Sequence, residues 1–157
     1  VLTRICRSLG LEMHRLVSQS FMVSADNAHA VHPAHPEYSD PNEAPVMNGG
    51  IVIKYNASQR YTTDAVSAAV FRQICEEVDV PVQTYSNRAD LPGGSTLGNI
   101  STAHVSVHSV DIGLPQLAMH SAYETAGARD TELMVKALTA FFLSRITAEG
   151  GGAYTLG

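Results

Sequence analysis

Short apolar segments alternate with amphipathic stretches along most of this chain, and this alternation limits the possible fold more than any other feature. The periodicity predicts three helices and four strands, the helices over 1–17, 64–78 and 131–146 and the strands over 20–24, 51–55, 81–85 and 105–112. Strands that alternate with helices usually pair in parallel, because a crossover helix returns the chain to the same end of the sheet. We therefore expect an α/β fold, a three-layer sandwich with a largely parallel central sheet.

Two segments interrupt this alternation. Residues 32–48 contain four prolines among polar side chains, and because proline lacks a backbone N–H, we expect one long surface loop there. Residues 149–157 include three consecutive glycines, which predict a flexible tail. The remaining 1–148 is then one domain, since 157 residues is an ordinary length for a single domain.

The charge balance narrows the class of partner. Ten Lys and Arg residues against fifteen Asp and Glu give a formal net charge of −5, which argues against nucleic-acid binding because that depends on a basic face. No apolar run approaches the ~20 residues needed to span a bilayer, and no signal peptide opens the chain. We expect a cytoplasmic protein without a membrane partner, in which Cys6 and Cys75 are buried, reduced thiols.

Carboxylate and imidazole side chains that suit a divalent metal occur at two places. Asp26 ends the first predicted strand, and His29, His32 and His35 follow it; His120 lies after the fourth strand and a turn over 113–115. From spacing alone the alternatives stay open. Spacing alone favours an exposed polar loop for the first three histidines, and a residue in the core or at its boundary for His120, over metal ligands.

Two further features are candidates for a binding site: a lysine within an apolar strand, and a glycine-rich segment whose backbone a ligand could approach closely. Lys54 interrupts an apolar strand, where it would either meet an acidic ligand or protect a sheet edge from aggregation. The segment RADLPGGSTLG, residues 88–98, pairs glycines with Ser and Thr, as in a turn and helix start or in a backbone site for an oxyanion. It lacks the Lys of a phosphate-binding loop.

Four segments in register resemble successive motifs of the aspartyl aminopeptidase family. They are SADNAHAVHP (24–33), NGGIVIKYNASQRYTTD (48–64), VPVQTYSNRADLPGGSTLG (80–98) and VDIGLPQLAMHS (110–121), and the resemblance runs from about Leu16 to about Phe142. Members of that family are cytosolic dinuclear zinc exopeptidases that remove N-terminal Asp or Glu from peptides. The resemblance implies the same zinc-exopeptidase fold, the same peptide substrates and a homo-oligomeric full-length form.

The resemblance also implies roles for five residues. Asp26 and His120 would each bind a zinc ion of the pair, while His29, Lys54 and Tyr61 would bind the substrate. Carboxylate and imidazole also suit cobalt or manganese. A cation and hydrogen-bond donors in one pocket would select an acidic side chain over a neutral one.

The family's remaining metal ligands and its general base lie before the first of these motifs, and residues 1–19 do not match them. Glu12 and His14 lie in a predicted amphipathic helix without the family's flanking residues. We therefore expect 1–148 to be the C-terminal segment of a metallopeptidase catalytic domain, with no catalytic residue of its own and no activity alone. The alternative is a truncated, catalytically silent module for assembly or peptide binding.

Overall fold

The computed structural model describes all residues, 1–157, as five helices and nine strands. The helices are α1 (Leu2–Ser8), α2 (Met13–Ser18), α3 (Ala65–Glu77), α4 (Leu97–Thr102) and α5 (Ala128–Leu143). The strands are β1 (Phe21–Ala25), β2 (Ala28–His29), β3 (Ile51–Tyr55), β4 (Val82–Ser86), β5 (His108–Gly113), β6 (Pro115–Leu117), β7 (Thr125–Ala126), β8 (Ile146–Gly150) and β9 (Ala153–Leu156). None of the helices has both the length and the apolar character needed to cross a membrane.

The central sheet has four strands in the order β1-β5-β3-β4. β1 pairs in parallel with β5, and β3 pairs in parallel with β4, whereas β3 and β5 are antiparallel. Helix α3 connects β3 to β4, which is the crossover that a parallel pair requires. The expected α/β fold with a largely parallel sheet is confirmed. β2, β6 and β7 form a second, smaller sheet beyond one end of β1 and β5.

Alternation along β3 separates an apolar face of the sheet from a polar one. Ile51 and Ile53 pack with α3 and α5 in the main core, whereas Val52 packs on the opposite face with Tyr61 and Tyr85. Helix α4 packs against β1 and β5. Successive residues of a strand point to opposite faces, so Lys54 shares the face of Val52.

The N-terminal helix ends earlier than its periodicity predicts. α1 and α2 occupy the predicted 1–17 helix, and Gly10 between them has φ +66°, a left-handed conformation that ends helices. α5 is shifted too: it begins at Ala128 after the N-cap Gly127 and ends at Leu143, because Ser144 turns to extended backbone with φ −71° and ψ 142°.

Of the two segments for which no regular structure was predicted, one is an irregular loop and the other forms a hairpin. Residues 32–48 contain one short 3-10 turn, Pro36–Tyr38, and an isolated bridge between His32 and His35. The C-terminal residues instead form a hairpin, in which β8 pairs with β9 and the chain turns at the glycines. The mobility of 149–157 and the 1–148 domain boundary stay predictions.

Candidate functional site

Asp26 lies where the ladder between β1 and β5 continues into the ladder between β2 and β6. Its N–H donates to the carbonyl of Ile112 at 2.9 Å, and that of Ala28 donates to Leu114 at 2.8 Å. Gly113 passes directly under this step, because a Cβ there would lie 2.0 Å from the Asp26 carbonyl oxygen. Only glycine permits this approach. The Asp26 side chain is 53% exposed and faces solvent.

Lys54 reaches the same point from β3. Its residue is 1% exposed, and its Nζ donates to the Asp26 carbonyl at 2.8 Å and more weakly to that of Asn27 at 3.5 Å. The Asp26 carboxylate lies 4.0 Å away. Burial lowers the pKa of the Lys54 ammonium, and the charges of Asp26 and then Asp111 oppose that shift. Because β3 is an inner strand, protection of a sheet edge is the wrong interpretation of Lys54.

Tyr61 covers the ammonium of Lys54. Nζ lies 5.0 Å from the centre of the Tyr61 ring, within the range of a cation–π contact. Burial raises the pKa of Tyr61 to about 12, so its phenol keeps its proton and can donate a hydrogen bond at neutral pH. Tyr85 lies beside it, with ring centres 6.4 Å apart, and stands equally far from the ring of His29.

His29 and His120 become neighbours through the small sheet. β2 pairs with β6 so that His29 lies opposite Gln116, a short distance along the chain before His120. The pKa of His29 is lowered from 6.5, mainly by burial and then by His120 and Lys54. His29 is therefore a neutral imidazole near pH 7, the form that accepts hydrogen bonds.

The turn that carries His120 is strained. Ala118 and His120 both have positive φ, 55° and 67°, a region that costs residues with a Cβ roughly 1–3 kcal/mol. The carboxylate of Glu124 accepts the N–H of His120 at 2.6 Å and helps to hold this conformation. His120 itself is exposed to solvent.

A cavity of about 300 Å³ lies beside His29, with Tyr38, Tyr85 and Arg88 in its wall. Arg88 donates to the Asp90 carboxylate and to the Glu37 carbonyl, which ties the glycine-rich segment to the proline-rich loop. The glycine-rich segment itself forms a turn and the start of α4.

The outer histidines of the proline-rich loop pair with each other and with the loop. The rings of His32 and His35 are 5.3 Å apart, and His35 contacts Glu37 at 3.0 Å. His32 also contributes to the cavity wall. His29 alone of the three lies next to the Lys54 and Tyr61 cluster.

Asp26 and His120 have the chemistry of zinc ligands, a carboxylate and an imidazole, and both are solvent-accessible. The chain gathers no group of three or more His, Cys, Asp or Glu side chains that could hold a metal ion. Two donors fit a metal site as part of its shell, since a catalytic zinc ion usually takes three protein ligands. Their role as ligands stays a prediction.

Three residues of this region were not singled out from sequence. Tyr85 contacts the aromatic cluster, Glu124 holds the His120 turn, and Asp111 lies fully buried opposite Lys54. A charge within an apolar strand is the signal that drew attention to Lys54, and Asp111 carries the same signal in β5. Nothing in the local sequence of Tyr85 or Glu124 distinguishes them.

The α/β sheet gathers Lys54, Tyr61 and His29 next to the backbone of Asp26. Of the five residues given roles by the resemblance, only His29 lies in the wall of the cavity. Comparison with known proteins identifies the family. A profile of the family described as "Aminopeptidase I zinc metalloprotease (M18)" matches residues 1–142. The chain belongs to the M18 family of peptidases.

Curated relatives include the probable M18 family aminopeptidase 2 of Pseudomonas paraeruginosa, 48% identical over 130 residues, and that of Pseudomonas putida, 50% identical over 131 residues. Each match covers 83% of this chain and 30% of the relative. The chain therefore spans about a third of the length of these relatives.

Solved structures agree on the fold. The cryo-EM structure of the Ape4 and Nbr1 complex matches with a TM-score of 0.86 and 40% identity, covering 90% of this chain and 27% of the other. The S. cerevisiae mApe1 dodecamer matches with a TM-score of 0.78 and 27% identity, covering 89% and 32%.

Proposed function

We propose that this chain forms the substrate-binding part of a zinc-dependent aminopeptidase that removes N-terminal Asp or Glu from peptides. One observation carries the proposal: the buried ammonium of Lys54 is held under Asp26 and Tyr61, beside His29. An ammonium has three donors; two contact carbonyl groups, and the proposal assigns the third to an acidic ligand. Such a charge-assisted bond favours a substrate carboxylate over a neutral side chain.

Asp26 and His120 would supply one carboxylate and one imidazole ligand to a pair of zinc ions. Bound zinc polarises a scissile carbonyl and lowers the pKa of bound water. The residues of this chain would bind and orient the substrate: His29 as a neutral acceptor, Tyr61 as a donor, and Lys54 as the cation that recognises the acidic side chain. The general base would come from outside residues 1–157.

The same family membership supports a homo-oligomeric full-length form, since mApe1 is described as a dodecamer. We extend to the whole protein a cytoplasmic location without nucleic-acid or membrane partners. Cobalt or manganese in place of zinc is an alternative that the donor types allow.

A chimaeric enzyme tests the proposal. In it, the segment of the P. paraeruginosa relative that matches this chain is replaced by the corresponding residues of this chain. We expect the chimaera to release N-terminal Asp and Glu faster than neutral residues, to lose activity with a chelator, and to regain it with zinc. A folded chimaera that is inactive while its parent is active would reject the proposed function.

Two ligand variants and a matched control sharpen this test. Asp26→Asn and His120→Gln should lower kcat/KM by at least the roughly 10- to 100-fold that follows loss of a ligand's supporting partner. His35→Gln changes an exposed histidine of the proline-rich loop and should leave activity within about twofold. Equal effects of His35→Gln and His120→Gln would remove His120 from the metal site.

The catalytically silent module for assembly or peptide binding is the second candidate. If it is correct, the chimaera would bind peptides with N-terminal Asp but would not hydrolyse them. The intact mass of the source protein bears on the same choice. A mass well above 16.8 kDa would show that the protein has further residues, which would be the source of the remaining ligands.

A further inference from the structure

Asp111 is a fully buried carboxylate on the polar face of the sheet, and the proposed function gives it no role. Its Oδ2 accepts the backbone N–H of Thr62 at 2.6 Å and the hydroxyl of Thr62 at 2.9 Å. Its own N–H donates to Oγ1 of Thr63 at 2.9 Å. One residue of β5 thus holds two consecutive residues of the segment between β3 and α3.

That segment determines where Tyr61 lies. Residues 56–64 form no helix or strand, so no ladder of backbone hydrogen bonds fixes them. Tyr61 immediately precedes Thr62 and packs over Nζ of Lys54. The hydroxyl of Thr62 also contacts Oγ of Ser109 at 2.9 Å, which adds a second anchor on β5.

Burying this carboxylate requires compensation, because an isolated buried charge is costly. The antiparallel register of β3 and β5 pairs Ile53 with Ile112, and therefore sets Lys54 opposite Asp111. Gly98 of α4 seals the carboxylate from above, since a Cβ there would lie 2.8–2.9 Å from both its oxygens. Only Oδ2 of Asp111 accepts hydrogen bonds, whereas Oδ1 is buried without a partner. The positive charge of Lys54 on the neighbouring strand partly compensates the buried carboxylate.

We propose that Asp111 is a positioning residue, whose hydrogen bonds to Thr62 and Thr63 hold Tyr61 over Lys54 and so shape the substrate pocket. The structural part concerns this chain alone, and the kinetic part rests on the proposed function. The two parts are therefore tested separately.

The structural test uses the 157-residue chain and NMR. Asp111→Ala should speed amide exchange of Thr62 at least tenfold relative to that of Gly50, and should shift the ring resonances of Tyr61. Asp130→Ala is the matched control, because Asp130 is equally buried and accepts the N–H groups of Asn48 at 2.6 Å and Gly50 at 3.0 Å. It should speed exchange at Gly50 and leave Thr62 and the Tyr61 ring unchanged.

Two milder variants keep the structural test decisive if the alanine variant does not fold. Asp111→Asn keeps an acceptor for Thr62 and should leave its exchange within about threefold of the wild type. Thr62→Val removes the hydroxyl contacts with Asp111 and Ser109 but keeps the backbone N–H bond to Asp111. It should shift the Tyr61 ring in the same direction as Asp111→Ala, by a smaller amount. If the ring resonances of Tyr61 do not shift in either Asp111→Ala or Thr62→Val, the proposal is overturned. If Asp111→Ala does not fold, unchanged Tyr61 resonances in Thr62→Val alone overturn it.

The kinetic test is a double-mutant cycle in the chimaeric enzyme. If Asp111 acts through Tyr61, Asp111→Ala should raise KM about tenfold in the otherwise unchanged chimaera, with kcat changed less than threefold. In the Tyr61→Phe background, the same substitution should raise KM less than twofold. Asp130→Ala should have the same effect in both backgrounds. An equal rise in KM from Asp111→Ala in both backgrounds would overturn the proposal, whereas an inactive wild-type chimaera would reject the proposed function and leave the NMR result to decide positioning.

Discussion

Lys54 and Gly113 meet at one atom, the carbonyl oxygen of Asp26. Lys54 donates to that oxygen at 2.8 Å. A Cβ at position 113 would lie only 2.0 Å from the same oxygen, so this position requires glycine. The backbone of Asp26 is therefore held from both sides while its carboxylate remains 53% exposed. A rigid backbone under a free carboxylate is the arrangement that a metal ligand needs.

Replacing Lys54 tests its role in specificity. In the chimaeric enzyme, Lys54→Met should lower kcat/KM on N-terminal Asp and Glu by the value of a charge-assisted hydrogen bond, about 1.5–3 kcal/mol or roughly 10- to 150-fold. Activity on a neutral N-terminal residue should fall less, because there only the support of the Asp26 carbonyl is lost. Lys136→Met, an exposed lysine of α5, is the control and should alter neither. If both substrates lose activity equally in a folded Lys54→Met variant, Lys54 serves only to hold Asp26.

Gly113 should tolerate no side chain. Gly113→Ala forces a methyl group into the Asp26 carbonyl, and overpacking of this kind costs about 1–3 kcal/mol or more. Urea unfolding of the chain measures this loss in the free energy of unfolding. Gly94→Ala is the control, because nothing lies within 4 Å of its Cβ position, and it should change stability by less than about 0.5 kcal/mol. Comparable losses in the two variants would contradict the close approach.

At the scale of elements, α3 determines the crossover between β3 and β4. The helix begins with a capping box: Oδ1 of Asp64 accepts the N–H of Ser67 at 2.7 Å, and Oγ of Ser67 accepts the N–H of Asp64 at 3.0 Å. Its inner side contributes Phe71 and Cys75 to the main core. The cap fixes where the chain leaves the Tyr61 segment and enters the helix.

Removal of the cap should destabilise the chain. Asp64→Ala should cost about 0.5–2 kcal/mol, whereas Asp64→Asn, which keeps an acceptor, should cost less. Thermal unfolding of both variants measures the difference. Glu76→Ala changes an exposed carboxylate near the other end of α3 and should have little effect. A loss in Glu76→Ala as large as in Asp64→Ala would show that the cap contributes nothing specific.

At the scale of the whole molecule, the chain carries the proposed substrate-binding cluster and only two of the proposed metal ligands. It spans about a third of the length of its curated relatives, and it gathers no three metal-binding side chains. With one carboxylate and one imidazole as proposed ligands, neither ion reaches the three protein ligands usual for catalytic zinc.

The chain by itself should therefore be inactive. We expect no measurable release of aspartate from an aspartyl amide by the purified 157-residue chain, and only weak zinc binding by calorimetry. Asp26→Asn should abolish the residual zinc binding, and His35→Gln should preserve it. Robust hydrolysis by the isolated chain would show that its metal shell is complete.

The sequence predicted the elements more accurately than their boundaries. Strand β3 matches the predicted 51–55, because a continuous apolar run bounded by turn residues leaves little freedom. The ends of α5 differ from 131–146, because caps depend on neighbouring backbone as well as on periodicity. The hairpin of β8 and β9 lies beyond what periodicity shows, since its strands are held by each other.

For the site, local sequence and family resemblance named Asp26, His29, Lys54, Tyr61 and His120, since each residue type carries its own chemistry. Only the tertiary structure decided that Lys54 is an inner, buried residue bound to the Asp26 carbonyl, and that Asp111 holds the segment after Tyr61. These contacts join residues far apart in the chain through the register of β1, β5 and β3. Periodicity specifies which face of a strand a side chain occupies, whereas strand order and register specify what it meets.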